Sequence, residues 1–134
     1  MKKPIVYLLL FFTILFAGCT AIKDFDKELA VKITDPIMDK TMEGLNENNY
    51  DKFIEYFTDS YKKSFPESSF LNFTERFYKN PGKYVSREVY DVRPIENGVL
   101  IHYKGIFETR DNVAITVTFE ISNEEYKIKK IRFY

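Results

Sequence analysis

The chain of 134 residues has no tryptophan, one cysteine (Cys19), one histidine (His102), five glycines and five prolines. A single cysteine allows no internal disulfide and no Cys-x-x-Cys metal site. With one histidine besides, zinc chemistry is not expected. No metal or other cofactor is expected. No Gly-rich phosphate loop occurs, and a Ser-His-Asp arrangement would have to rest on His102 alone. Charge of one sign is also lacking, because 20 basic and 20 acidic residues balance. Lys2 and Lys3 are the only charges in residues 1–18, so the rest of the chain holds 18 basic and 20 acidic residues. A nucleic-acid surface needs a basic stripe, and no nucleic-acid partner is expected. The densest basic cluster, Lys127, Lys129, Lys130 and Arg132, reads as a solvated strand edge.

What is abundant is aromatic: 13 Phe and 10 Tyr make up 17% of the residues. A chain of this length supports one domain with a modest core, and those rings carry much of it.

The N-terminus has its own logic. Lys2-Lys3 precede an apolar stretch from Ile5 to Ala17, 13 residues long. A bilayer span needs about 20 apolar residues, whereas the hydrophobic region of a secretory signal is of this shorter length. Leu15-Phe16-Ala17-Gly18-Cys19 resembles a lipobox, the processing site of bacterial and some archaeal lipoproteins. It departs from that pattern at Phe16, where Leu is usual. The resemblance implies a signal peptide over 1–18, fatty-acyl (palmitate-type) attachment at Cys19, a short tether over 19–23 and a domain over 24–134. It also implies a protein anchored on the extracytoplasmic face of the cell membrane. Each buried methylene contributes ~0.8 kcal/mol, so two acyl chains suffice for stable anchoring.

Phe25, Leu29 and Ile33, then Ile37, Met38, Met42 and Leu45, form a helical stripe interrupted by Asp35-Pro36. Asp35 as N-cap and Pro36 in a first turn predict a helix start near 36. Residues 22–34 are then a separate short helix or the first half of a kinked one. Tyr50, Phe53, Ile54 and Phe57 predict a second helix. Ser64-x-x-Glu67 reads as a capping box ahead of a third, which carries Phe70, Phe73 and Phe77. Asn80-Pro81-Gly82 stops it. The Asn72-x-Thr74 sequon falls inside that helix and reads as accidental.

The period then becomes two. Strands are expected over 84–95, 99–107, 113–121 and 126–134, with a bulge between Ile128 and Ile131 where the alternation slips. Asn97-Gly98 is a strong two-residue hairpin signal. Taken as the loop, it pairs Asp91 with Lys104, Arg87 with Glu108, Tyr90 with Gly105, and Val92 with Tyr103. It also puts Val92, Ile101, Tyr103, Phe107, Val113, Ile115, Val117 and Phe119 on one apolar face, with Glu88 sharing its parity. Arg87, Val89, Asp91, Leu100, His102, Lys104 and Ile106 fall on the other.

Helices followed by antiparallel strands form an α+β order. The phrases "DPIMDKTMEGLNENNYDKFIEYF" (35–57), "NPGKYVSREVY" (80–90), "VLIHYKGIFE" (99–108) and "VAITVTFE" (113–120) resemble a domain-of-unknown-function family of small lipoproteins in the nuclear-transport-factor-2-like superfamily. That resemblance implies helices packed on a curved antiparallel sheet of about four strands, a cystatin-like cone whose mouth is often a ligand or active site. Tyr90, Tyr103, Phe107 and Val117 are the candidates for lining that pocket. No catalytic residue is assigned, because the apolar face holds no acid and no histidine at its centre, and His102 lies on the opposite face. The expected function is a non-catalytic binding module for a small apolar ligand or a protein, a homodimer being one such use of the mixed outer face. The competing reading is an isomerase- or hydrolase-type enzyme using a pocket acid such as Glu88 or Asp91.

Overall fold

The computed structural model describes residues 24–134. The signal region, Cys19 and the tether lie outside the described residues. Four helices, α1 (Lys27–Asn46), α2 (Tyr50–Ile54), α3 (Asp59–Ser64) and α4 (Glu67–Lys79), precede four strands. The strands are β1 (Tyr84–Ile95), β2 (Gly98–Phe107), β3 (Val113–Ser122) and β4 (Glu125–Phe133), and they form one curved antiparallel sheet in sequential order. The helices lie on one face of it, as an α+β cone requires. No helix among the described residues is long and apolar enough to cross a membrane.

Helix α1 is continuous, so Asp35 is not its cap. Asp26 caps it, its side chain accepting from Leu29 N at 2.9 Å. Pro36 lies inside and supplies no N–H for the Lys32 carbonyl, at a cost of ~3 kcal/mol. Burial of Met38, Met42 and Leu45 outweighs that cost, since each fully buried apolar side chain is worth about 1.5–3 kcal/mol. Thr34 and Thr41 share the buried stripe because each hydroxyl donates back to a carbonyl four residues earlier, Ala30 and Ile37. Gly44 lets α2 approach α1 closely: a Cβ there would sit 2.5 Å from Phe53 N.

The expected second helix divides in two. Helix α2 ends at Ile54, and Phe57 leaves it to form an isolated parallel bridge with Ile128. The expected capping box does not form. Ser64 closes α3, its hydroxyl donating to Tyr61 O, and Pro66 stands at the N-cap of α4 without a side-chain bond. Phe70 and Phe77 of α4 are buried as expected.

The apolar sheet face is as expected. Val92, Ile101, Tyr103, Phe107, Val113, Ile115, Val117 and Phe119 are all buried. The bulge in β4 is present: Phe119 pairs with Ile128 and Thr118 with Lys130, leaving Lys129 as the extra residue.

The β1–β2 register corrects the expected one. Ile95 pairs with Gly98, so the loop residues are Glu96 and Asn97. Asn97 takes the positive φ of 54°. Gly98 belongs to the strand, paired with Ile95 and Glu120, and no side chain fits there because a Cβ would lie 2.0 Å from Phe119 O. Val92 therefore faces Ile101 and Asp91 faces His102. A bulge between Val89 and Asp91 leaves Tyr90 unpaired and reverses the alternation beyond it. Arg87 consequently pairs with Gly105 and turns inward, while Glu88 pairs with Lys104 and is exposed. Glu108, expected beside Arg87, instead accepts from Lys83 N at 2.9 Å.

Candidate functional site

The reversed alternation in β1 builds one wall of the cone from charge. The Arg87 side chain is only 8% exposed. Its Nη2 donates to Asp35 Oδ1 at 3.0 Å, and its Nη1 to Asp39 Oδ1 at 2.8 Å and to the Tyr84 hydroxyl at 3.0 Å. Asp35 and Asp39 stand one helical turn apart on α1, so one guanidinium spans both. Its carbon lies 5.5 Å from the centre of the Tyr103 ring, within cation–π reach. Burial works against the guanidinium charge, but Asp39, Tyr84 and Asp35 more than offset it, and its pKa is raised. Next to this clamp, Asn46 joins the end of α1 to β1. Its amide donates to Tyr84 O and its carbonyl oxygen accepts from Tyr84 N, both at 2.8 Å.

Tyr103 lies at the centre, 2% exposed. Its hydroxyl has no hydrogen-bond partner among the described residues, nor has Arg87 Nε. Burial pushes the Tyr103 phenol up to about 12, Thr34 and Arg87 acting in the opposite sense. The group stays protonated near neutral pH and is no base there.

The opposite wall is made of rings. Phe53 of α2 packs against Phe57, Phe65 and Phe70 at centroid distances of 5.2, 6.0 and 5.0 Å. Tyr61 stacks on Phe57 at 4.7 Å. Phe73 meets Phe77 at 4.9 Å and Phe133 at 5.6 Å. Between α2–α4 and β4 these rings leave an open pocket of about 410 Å³, lined by Phe53, Tyr61, Phe65, Phe73, Ile131 and Phe133 with Arg132 and Tyr134. That volume falls in the range of small-molecule sites, roughly 300–1,000 Å³.

Strand β4 is the sheet edge, and its unpaired backbone groups are covered in sequence. Ile128 N donates to Tyr56 O and Ile128 O accepts from Thr58 N. The Tyr61 hydroxyl then donates to Ile131 O at 3.2 Å and accepts from Ile131 N at 3.3 Å. Burial raises the Tyr61 pKa, while its bond to Ile131 and the charge of Arg132 act to lower it. Tyr134 N donates to Ala114 O, so by the ladder's alternation the Phe133 amide and carbonyl point away from β3, towards the pocket side.

Of the four residues expected to line a pocket, Tyr103, Phe107 and Val117 meet on the inner face as packed core. Tyr90 is 82% exposed at the β1 bulge. It borders a groove with Tyr103, His102, Lys104 and Thr116, where His102 Nδ1 lies 3.2 Å from Thr116 Oγ1. Asp91, on the same strand, bonds Arg93 Nε at 2.5 Å. Sequence reasoning missed Arg87 as an interior residue, and it missed the ring pocket with Tyr61, Phe65, Phe73, Phe133 and Arg132. The available signals were the Phe spacing in 65–77 and the basic cluster at 127–132.

No cluster of His, Cys, Asp and Glu fit to hold a metal ion occurs among the described residues. No curated protein matches the chain. Solved structures similar in chain path include a de novo designed protein with a curved β-sheet. It is 12% identical with a TM-score of 0.45, covering 75% of this chain and 98% of that one. A SnoaL-like protein of unknown function from Burkholderia thailandensis is 10% identical with a TM-score of 0.44, covering 82% and 98%. An NTF-2-like protein of unknown function from Burkholderia xenovorans is 15% identical with a TM-score of 0.41, covering 79% and 84%. The model of one family of proteins of unknown function, DUF3887, matches residues 38–131, from mid-α1 into β4, and the chain belongs to that family.

Proposed function

We propose that the protein is a lipid-anchored, non-catalytic binding module on the extracytoplasmic face of the membrane, and that its ligand is a small apolar molecule held between α2–α4 and β4. The observation that carries this reading is the open, ring-lined pocket of about 410 Å³ beside a core that is otherwise filled. Aromatic walls supply apolar area without demanding a particular hydrogen-bond pattern. Tyr61 has its hydroxyl committed to the β4 edge, so it shapes the pocket and does not act in it. The Cys19 anchor rests on the lipobox-like run and holds the domain near the bilayer, since only seven residues separate Cys19 from Lys27.

Native mass spectrometry of the protein released from its own membrane tests both halves. The expected result is a chain that starts at an acylated Cys19 and carries a small molecule lost on denaturation. An unmodified N-terminus beginning at Met1 contradicts the anchor. A folded domain that never retains a small molecule contradicts the ligand.

A further inference from the structure

We propose that the ring pocket selects anionic amphiphiles, with the apolar body among Phe65, Phe73 and Phe133 and the anionic head on Arg132, assisted by Lys130. This rests on the reading of that pocket as a ligand site.

Strand β4 carries the basic cluster Lys127, Lys129, Lys130 and Arg132. A solvated edge is the ordinary fate of such residues, and it accounts for two of the four. Lys127 lies 3.8 Å from Glu125, and Lys129 lies 3.9 Å from Glu120. Lys130 and Arg132 form no ion pair among the described residues. The two share one face of β4, opposite Thr116 and Thr118. Arg132 lines the pocket itself, its Nη1 3.3 Å from the Tyr134 hydroxyl. Lys130 borders the adjoining opening, which shares Tyr61 with the pocket. No acidic side chain lines either opening. An apolar slot with a cation at its rim rewards a molecule that has both parts and leaves a neutral analogue without a partner for the guanidinium. A carboxylate or phosphate on Arg is a charge-assisted bond, about twice as strong as a neutral one. The head group can belong to a free single-chain acid or to an anionic lipid of the adjacent bilayer, and the chemistry recognised is the same.

The test uses the full chain in phosphatidylcholine nanodiscs, with empty nanodiscs as the blank and saturation-transfer NMR as the readout. Octanoate and 1-octanol are titrated as matched probes. Octanoate is expected to bind about tenfold tighter, a difference of about 1.4 kcal/mol, as one charge-assisted hydrogen bond would give. In the Arg132→Gln, Lys130→Gln double variant the two affinities are expected to converge, the ratio of octanoate to octanol binding falling to about one. Both positions are exposed on the strand, so the fold is kept. Equal binding of the two probes to the unaltered protein overturns the inference and leaves the ligand site standing. A preference for octanoate that survives the double variant also overturns it. Binding of neither probe removes the ligand site itself. Adding phosphatidylglycerol to the nanodisc distinguishes the sources: displacement of octanoate points to a bilayer lipid and undisturbed binding to a free acid, both in accord with the proposal.

Discussion

The two walls of the cone are closed by different physics. On the α1–β1 side, one guanidinium joins two carboxylates and a phenol, and the amide of Asn46 clamps the backbone. On the α2–α4–β4 side, rings meet rings, and backbone bonds of Ile128 and the Tyr61 hydroxyl hold the strand edge. Directional bonds fix one helix in one place on the sheet. Ring contacts are less directional, and there the helices are short and the wall is left open. A fixed wall beside an open one suits the proposed binding role, in which a ligand would enter without unseating the frame.

The comparison breaks most visibly at Phe53, which belongs to both the core and the pocket floor. Phe53→Ala is expected to cost ~3–5 kcal/mol, because the ring is 1% exposed and its neighbours cannot collapse onto the space. Urea unfolding checks it, and a loss under about 1 kcal/mol would show that the ring wall is not tightly packed. Arg87→Ala comes next. It removes the clamp, but the carboxylates it leaves are 48% and 72% exposed. The expected loss is therefore about 2 kcal/mol, below the ~3–5 typical when a charge is stranded in the interior. Arg87→Met keeps the stem packing and is expected to recover about half of that loss.

The phenols sharpen the comparison through pH. Tyr103 has its folded pKa raised to about 12, and Tyr61, Tyr78 and Tyr84 are also raised by burial. An acid that ionises later in the folded chain stabilises the fold below its unfolded value, about 10. That contribution falls away as pH rises from about 10 to about 12. Thermal melts should be insensitive to these groups between pH 7 and 9 and drop steeply above 10. Tyr103→Phe gives the smallest effect. Its hydroxyl is buried without a partner, so removing it should leave stability within about 1 kcal/mol, or raise it, and should soften the alkaline drop. A loss above 2 kcal/mol would mean the hydroxyl is satisfied after all.

The walls also differ in how legible they were. The inner face of β2 and β3 follows from strict alternation, and Val99 to Phe119 reads directly as core. The β4 bulge shows in the phase slip at Ile128–Ile131. Strand β1 does not read this way. Its register turns on Gly98, which looks like a turn residue but pairs in the strand with Ile95 and Glu120, where no side chain fits against Phe119 O. Its facing turns on an extra residue at Tyr90, which nothing local in the sequence marks. One bulge therefore moved Arg87 from the outer face to the interior and Glu88 the other way. Asp35, next to Pro36, reads as a helix start, whereas tertiary burial carries α1 straight through the proline. The ring pocket was hidden for another reason: its residues come from α2, α3, the α3–α4 loop, α4 and β4, and only the fold brings them together.

The central claim is that ligand is held at the ring wall and not at the charged one. Two-dimensional NMR of the full chain labelled at Tyr and Phe rings, titrated with octanoate, tests it most directly. Shifts confined to Tyr61, Phe65, Phe73, Phe133 and Tyr134, with Tyr84 and Tyr103 still, are the expected result. Shifts centred on Tyr84 and Tyr103, with the ring wall unmoved, would contradict it.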